Sequence, residues 1–492
     1  MTQPLREEGK SYTKIKIEMK ESKDIDKIEL LIRTYKGRAE VYNLVGENEN
    51  ALKDCKKGIL ISKWSKDKKL LADCILQLSG IYGAISQYEK MRSLAKKSFL
   101  LYRKIKDKKG VADSFNNIGF AFYSLGDYSK ALEFYNKSLK IDQARHDCSG
   151  QGTTLNNIGN VYGYLGNYLK AFKYYNNALK IQKEMGNCRG QGESLTSIGM
   201  AYHYLGDYSK ALEYYSKSLK TQEEIGDRGG QGDSLNNIGA AYSKLGDYGK
   251  AHENFNKSLE IRKEIGDRRG QAQSLNHIGA VSLNLGNYEK ALEQYNKALK
   301  IQKEIGDTRG QGYVSNNIGF VYYSLCDYKK AHEYLESAEK IATEIGEKEL
   351  LRRIAVSFAE LILAENAEKG TENAKIYAEE AMKLAEKLKS KSGKAEALLL
   401  QARIEITDNR WQIADSRFKE AIKNFEELKQ PFEIAKAYYY YAQSIKTVGT
   451  GLVPVQFDDK SKEYLQKARG IFEKIGAKAW LGKIGEIGVS SA

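Results

Sequence analysis

Carboxamide side chains recur along this chain at a spacing that no short functional loop would produce. Asn116 and Asn117 are matched by Asn156 and Asn157, by Asn236 and Asn237, by Asn276, and by Asn316 and Asn317, always at multiples of 40 residues. Thr196 with Ser197, and His277 beside Asn276, fill the remaining places. An amide offers both a donor and an acceptor. A file of amides can therefore pair with the N–H and C=O groups of an extended peptide whatever its side chains. Aromatic residues interleave with them at Phe120, Tyr123, Tyr164, Tyr204, Phe320 and Tyr323. Tyrosine suits such contacts because one end is apolar and the other polar. The competing role is internal: each asparagine bonds to the adjacent repeat and fixes the pitch of the stack. Both roles coexist if one Asn of each pair is structural, and neutral repetition is the third reading.

The elements that must position this file are legible in the same period. Leu-Gly-Asp/Asn-Tyr occurs at 125–128, 165–168, 205–208, 245–248 and 285–288, and returns as Leu-Cys-Asp-Tyr at 325–328. A fixed period of this size signals a stacked-repeat architecture, in which one unit cannot bury its own apolar face. Within 230–269, Leu235, Ile238, Gly239 and Tyr242 fall on one face of a helix, and Tyr248, Ala251, Phe255, Leu259, Ile261 and Ile265 on a face of the next. Gly246 with Asp247 breaks the first pattern. Gly266 suits a left-handed helix end and Asp267 the cap of the following helix. Strand alternation is absent, and the three prolines, Pro4, Pro431 and Pro454, lie outside the regular array. Residues 116, 120 and 123 fall on the stripe beside the core stripe of 115, 118, 119 and 122.

The series Leu235, Ile238, Gly239, Tyr242, Gly246, Tyr248, Ala251, Phe255, Ser258 resembles the tetratricopeptide repeat. The usual period is 34, so the six additional residues are expected to lengthen helix B and its exit turn. Asn-Asn-Ile-Gly in helix A and Gly-Asp-Arg-x-Gly-Gln at the junction are similar to Pins/LGN-type adaptors and to the repeat arms of bacterial signalling regulators. The resemblance implies an all-α, right-handed α-solenoid of stacked antiparallel helix pairs whose asparagine stripe lines a concave groove. Chaperone-binding members clamp a terminal carboxylate with basic residues around such asparagines. Asn117 and Asn157 match the asparagine position, but Asp113, Asn116, Glu193, Asn236, Asp233 and Gln273 occupy the basic ones, so no such clamp is expected. Nothing after residue 475 resembles a GoLoco motif.

Following the phase outward gives about eleven helix pairs. Residues 1–29 read as a polar tail or helix, 30–109 as about two degenerate basic repeats, and 110–349 as six regular repeats. Residues 350–474 read as about three degenerate repeats after a three-residue slip, with a loop inserted at 449–459. Residues 475–492 read as a capping helix, expected where a stack must end in water. The array is expected to be continuous rather than a set of globular domains.

Composition narrows the function. The chain holds 34 tyrosines and is 41% hydrophobic, ample for an interior, yet no run of 18 apolar residues exists to span a membrane. The opening residues lack the apolar stretch of a signal peptide. Five cysteines without a CxxC suit a reducing cytoplasm, and Cys148 and Cys188 read as free surface thiols. No P-loop, HExxH or GxSxG occurs, and the five histidines lack partners at ligand spacing. Gly229-Gly230-Gln231-Gly232 recurs at a turn and is read as structural rather than as a phosphate cradle. No catalytic residue, metal or cofactor is expected. Net charge is +15, but residues 1–110 alone hold 26 Lys/Arg against 15 Asp/Glu. The expected function is a non-enzymatic scaffold that binds an extended peptide of a partner protein in the groove over 110–325. The alternatives are a sensory arm of a bacterial-type signalling system and, less favoured, RNA binding through the basic first repeats.

Overall fold

The computed structural model describes residues 25–44, 47–165, 167–365, 371–388, 390–452 and 454–486. Twenty-three helices and no strand occur among them. Contacts divide the chain into two compact units, Met1–His146 and Asp147–Ala492. That boundary falls inside the stretch read as six uniform repeats, where the sequence period gives no sign of it.

In the first unit helix A of each pair is α1 (Ile25–Leu44), α3 (Lys68–Ala84) and α5 (Lys108–Ser124). Their B partners are α2 (Asn48–Ser65), α4 (Tyr88–Lys104) and α6 (Tyr128–Ala144). The second unit opens with the pairs α7 (Cys148–Tyr164) and α8 (Tyr168–Glu184), then α9 (Cys188–Tyr204) and α10 (Tyr208–Glu224). It continues with α11 (Arg228–Lys244) and α12 (Tyr248–Glu264), α13 (Arg268–Asn284) and α14 (Tyr288–Glu304), and α15 (Thr308–Ser324) and α16 (Tyr328–Ile345). The last pairs are α17 (Lys348–Glu365) with α18 (Thr371–Lys387), α19 (Lys391–Thr407) with α20 (Trp411–Glu427), and α21 (Pro431–Leu452) with α22 (Pro454–Ile475). A short α23 (Lys478–Glu486) ends the stack.

Helix B is not the longer partner. In five of the six regular repeats both helices have 17 residues, and in the sixth helix B has 18, so the residues beyond the usual period are shared between A and B. The cause is local, because both turns are built alike. In the A–B turn Gly246 takes φ 77°, the Asp247 amide donates to Tyr242 O at 3.0 Å, and the Asp247 side chain accepts from Lys250 N. In the B–A turn Gly266 takes φ 71° and Asp267 accepts from Gly270 N. A left-handed residue followed at once by an N-cap stops one helix and starts the next within three residues. Cys326 holds the same conformation at φ 60° in the sixth copy.

One expectation near the end needs correction. The stretch 449–459 is not a loop: α21 extends to Leu452 and α22 begins at Pro454, with residue 453 outside the described residues. Proline is at home in the first turn of a helix, where its missing N–H has no acceptor to satisfy, so Pro454 starts a helix here. Residues 1–24 and 487–492 lie outside the described residues, and the helix expected at the start runs from Ile25.

A and B are held together by a glycine under a ring. Gly199 lies beneath Tyr215 and Gly239 beneath Phe255; a Cβ at Gly239 would sit 2.8 Å from the Phe255 ring. Tyr215 and Phe255 are among the largest fully buried side chains. Serine then links B to the A helix before it, as Ser258 Oγ donates to Gly232 O at 2.8 Å. The glycines of the Gly-x-Gly turns serve packing: Gly230 abuts the Gln222 side chain, and Gly232 abuts Arg262.

Consecutive A helices touch along each unit, from α1 to α5 and from α7 to α21, while consecutive B helices make no comparable contact. Each stack therefore curves toward its A side, and the A helices form the inner wall. In the second unit the curvature carries the last pairs back onto the A–B turns of α9–α14. Leu428 meets Gly206, Ile475 and Pro431 meet Gly246, and Ala479 meets Gly286. Gln430 Nε2 donates to the Tyr208 hydroxyl at 3.2 Å, and one buried core joins Tyr248, Tyr295 and Ile318 with Tyr439, Phe472 and Ile484. Trp480 of α23 stacks on Phe472 with centroids 5.3 Å apart. No described helix is long and apolar enough to cross a membrane.

Replacing Gly239 with Ala forces the Phe255 ring outward. It should lower stability by about 1–3 kcal/mol despite alanine's better helix propensity, read as a lower midpoint in urea. Gly226 and Gly246 both have positive φ, at 68° and 77°, but only Gly246 faces another helix pair. Gly246→Ala should therefore cost more than Gly226→Ala, and equal midpoints would show that the returning helices add nothing to stability.

Candidate functional site

The inner wall of each unit is the surface to which the sequence assigns binding. In the first unit α5 carries Asn116, Asn117, Phe120 and Tyr123. Asn117 lines a cavity of about 580 Å³ with Lys36, Asp73, Gln77, Tyr102 and Asp113. Tyr102 donates to Asp73 Oδ1 at 2.6 Å, and Gln77 Nε2 donates to Lys36 O at 2.8 Å. Phe120 and Tyr123 are neighbours, 6.3 Å between centroids, with Phe120 exposed. The cavity mixes both signs of charge: Lys36, Lys69 and Lys109 line it with Glu40, Asp73, Asp107 and Asp113, and Lys36 pairs with Asp73 and Lys69 with Asp107.

In the second unit the asparagine file divides by burial. Asn156 is buried and exchanges hydrogen bonds with Ser194 of the next A helix, at 3.1 and 3.3 Å. Asn316 is buried and accepts from Ser357 Oγ at 3.1 Å, while Asn317 Nδ2 donates to Asn276 Oδ1 at 2.9 Å. These side chains lock one repeat to the next. Asn157 and Asn237 are half-buried on the same wall. Asn236 is 3% exposed, and its Oδ1 has no hydrogen-bond partner. A buried carbonyl left unpaired costs about 1–3 kcal/mol, so this tier is polar and unsatisfied. About two turns further along α11 Lys244 is exposed, and at the equivalent place Tyr204 of α9 is 54% exposed and Tyr164 of α7 half-buried. Phe320 and Tyr323 pack together at 5.3 Å, further along on α15.

Sequence reasoning missed the charged continuation of the wall. Glu360 of α17 is buried against Arg403 of α19 and lies 3.9 Å from Lys436 of α21. The Arg403 guanidinium lies 3.9 Å from the centre of the Tyr440 ring, and Tyr323 OH donates to Glu360 at 3.5 Å. Arg352 bridges Glu349 at 2.7 Å and Glu396 at 2.8 Å. Burial opposes the charge on Glu396, but Arg352 outweighs it and holds the carboxyl down to about 2. Burial likewise opposes Glu360, and Arg403 and Lys436 keep it below the usual range. The available signal was register: carried across the slip between Glu365 and Thr371, the Phe120/Phe320 place falls on Glu360 and Arg403. This end of the wall is a set of mutually neutralised ions. Among the described residues no group of three or more His, Cys, Asp or Glu is placed to hold a metal, and all five cysteines are unbridged.

Two wall histidines are held neutral. Burial, with Lys244 and His277 adding to it, pushes His203 down to about 3. Burial, with Arg353 and Arg262 adding to it, pushes His277 down to about 4. Unfolded histidine titrates near about 6.5, so both contribute stability above that value and lose it as pH falls through it toward the folded values. His277→Asn, which restores the residue of Asn237 and Asn317, should flatten the fall of Tm between neutral pH and pH of about 4. Parallel Tm profiles for the two proteins would contradict this.

The sequence profile of the tetratricopeptide repeat matches residues 71–144, 150–224, 194–264 and 270–344, together more than half of the chain. No curated protein matches it. A solved Rap protein complexed with Competence and Sporulation Factor is similar over 72% of this chain and 98% of its own, at 14% identity and TM-score 0.55. The Rap conjugation gene regulator of plasmid pLS20, solved with the Phr* peptide, is similar over 71% and 95%, at 14% identity and TM-score 0.51. At such identities the likeness speaks for the fold alone. The repeat match and the helix-pair geometry agree, and the chain belongs to the tetratricopeptide-repeat family.

Proposed function

We propose that this protein is a non-catalytic adaptor that captures an extended peptide segment of a partner on the inner wall of its second unit, at α9–α13. The observation that carries this is the tier around Asn236 and Asn237. It has a buried amide oxygen without a partner and a second amide on the same wall, with an exposed lysine about two turns further along α11 and an exposed tyrosine at the equivalent place on α9. A peptide backbone supplies the missing donors, and its own carbonyls meet the amide N–H groups. Tyr164 and Tyr204 offer side-chain contacts at one end, and the neutralised ions of α17–α21 bound the other. Solved complexes of proteins with this fold, one of them with a peptide, are in keeping with the reading. They equally suit a regulatory arm in a signalling system, which is the same binding act with a different output. In the first unit Asn117 extends the carboxamide theme into a separate cavity.

Panning a displayed library of linear peptides on the full-length protein tests the proposal. Wild type should enrich extended sequences, and Asn236→Ala with Asn237→Ala should weaken capture by about tenfold or more, the loss of one to two hydrogen bonds, with Tm nearly unchanged. Asn316→Ala should behave in the opposite way, lowering Tm because the buried Asn316–Ser357 bond between repeats is lost. Failure of wild type to enrich any linear peptide, or capture that declines only in step with Tm, would refute the assignment.

A further inference from the structure

The outer side of the first unit differs from that of every regular repeat at the same positions. B helices form the outer side, and their surface positions can be compared row by row. Leu60 of α2 and Leu100 of α4 are 37% and 45% exposed. The same place in the following repeats holds Lys140, Lys180, Lys220, Glu260, Lys300 and Lys340. One turn on, Trp64 and Lys104 stand where Glu184, Glu224, Glu264, Glu304 and Glu344 stand later, and Trp64 is 44% exposed. One turn back, Lys56 and Lys96 replace Asn136, Asn176, Asn256 and Asn296.

Pairing changes in the same two rows. In four of the six regular B helices a lysine is neutralised four residues after a glutamate, as in Glu133–Lys137 at 2.5 Å and Glu213–Lys217 at 2.6 Å. On α2 and α4 the glutamate place holds Lys53 and Ser93, so the cations at 56, 57, 96 and 97 have no such partner. The nearby acids are committed elsewhere: Asp54 is buried and pairs with Arg38 at 3.2 Å, Glu89 pairs with Arg92 at 2.5 Å, and Asp67 and Asp107 cap helices. Residues 51–110 hold 16 Lys/Arg against 5 Asp/Glu.

We propose that this face, with Leu60, Trp64 and Leu100 set among Lys56, Lys96 and Lys104, docks on the surface of an anionic lipid bilayer. Unpaired lysines draw a protein to negative headgroups at about 1 kcal/mol each. Leucine and tryptophan then enter the boundary between headgroup and acyl chain. A convex face meets a flat surface where a groove cannot. Nucleic acid would use the lysines but has no use for two leucines at positions where the fold readily accepts lysine.

That difference makes the test. Full-length protein is mixed with phosphatidylcholine vesicles, with or without phosphatidylserine, and with polyuridylate. Wild type should float only with the phosphatidylserine vesicles. Lys56→Asn with Lys96→Asn should lower this partition by roughly tenfold or more. Leu60→Lys with Leu100→Lys installs the residue of the later repeats and adds charge, yet should still lower vesicle partition by about tenfold, because apolar contact outweighs the added attraction. Circular dichroism and Tm report that both variants fold. Vesicle binding unchanged or strengthened in the leucine variant overturns the proposal, as does equal binding to pure phosphatidylcholine. Retention on polyuridylate that strengthens in that variant, with vesicles ignored, overturns it in favour of nucleic acid.

Discussion

An apolar side chain resting on a glycine, a ring in five of the six regular pairs, sets the distance between the two helices, and the rest of the structure inherits that distance. Gly119, Gly159, Gly199, Gly239 and Gly279 receive the rings of Tyr135, Tyr175, Tyr215, Phe255 and Tyr295, and Gly319 receives Leu335. Because the helix A backbone itself is the floor, the B helix approaches closely and the apolar ring is removed from water. Burying such a side chain is worth about 1.5–3 kcal/mol. Repeats of this kind are stable only together, as each interface adds to its neighbours. The identical geometry from pair to pair is what aligns equivalent side chains into a wall.

The wall then uses its amides in two ways. Where Asn156, Asn316 and Asn317 find Ser194, Ser357 and Asn276, the carboxamide is a bolt between repeats, and it is buried. At Asn236 the equivalent serine, Ser274, is engaged with Ser258 instead, and the oxygen is left without a hydrogen bond. A polar group held out of water without a partner is costly, and it marks a place that gains from an incoming donor. The ionic end of the wall works differently. Glu360, Arg403 and Lys436 satisfy one another, so their burial rigidifies that end rather than offering charge.

Inner and outer surfaces answer different physical demands. On the inner side, curvature concentrates polar groups around a line, which suits a slender polymer. On the outer side, the B helices of the regular repeats are laced with glutamate–lysine pairs and remain solvated. On α2 and α4 those pairs give way to lysines without a glutamate partner, two leucines and a tryptophan. A stack of repeats can carry two partners in this way, because changing an outward residue leaves the glycine–ring contacts untouched.

Helix pairs, their turns and the inward stripe were legible in the sequence because each depends on residues a few positions apart. Gly266 and Asp267 stop and start helices through bonds within one turn, and the 40-residue period repeats that local chemistry without interruption. The equal lengths of A and B, and the helix through 449–459, were less legible. Glycine and proline there signal a break, while the backbone needs only a boundary at residue 453. What the tertiary structure alone decided is which equivalent residues have equivalent fates. Asn156 and Asn236 are the same residue at the same phase, yet one is bonded and the other is not. The difference is that Asn156 meets the hydroxyl of Ser194, whereas the equivalent hydroxyl for Asn236, that of Ser274, bonds with Ser258 Oγ at 3.1 Å. The division at residue 146 and the return of α21–α23 onto the turns at Gly206, Gly246 and Gly286 likewise depend on small rotations summed over many pairs. No single repeat encodes such a sum.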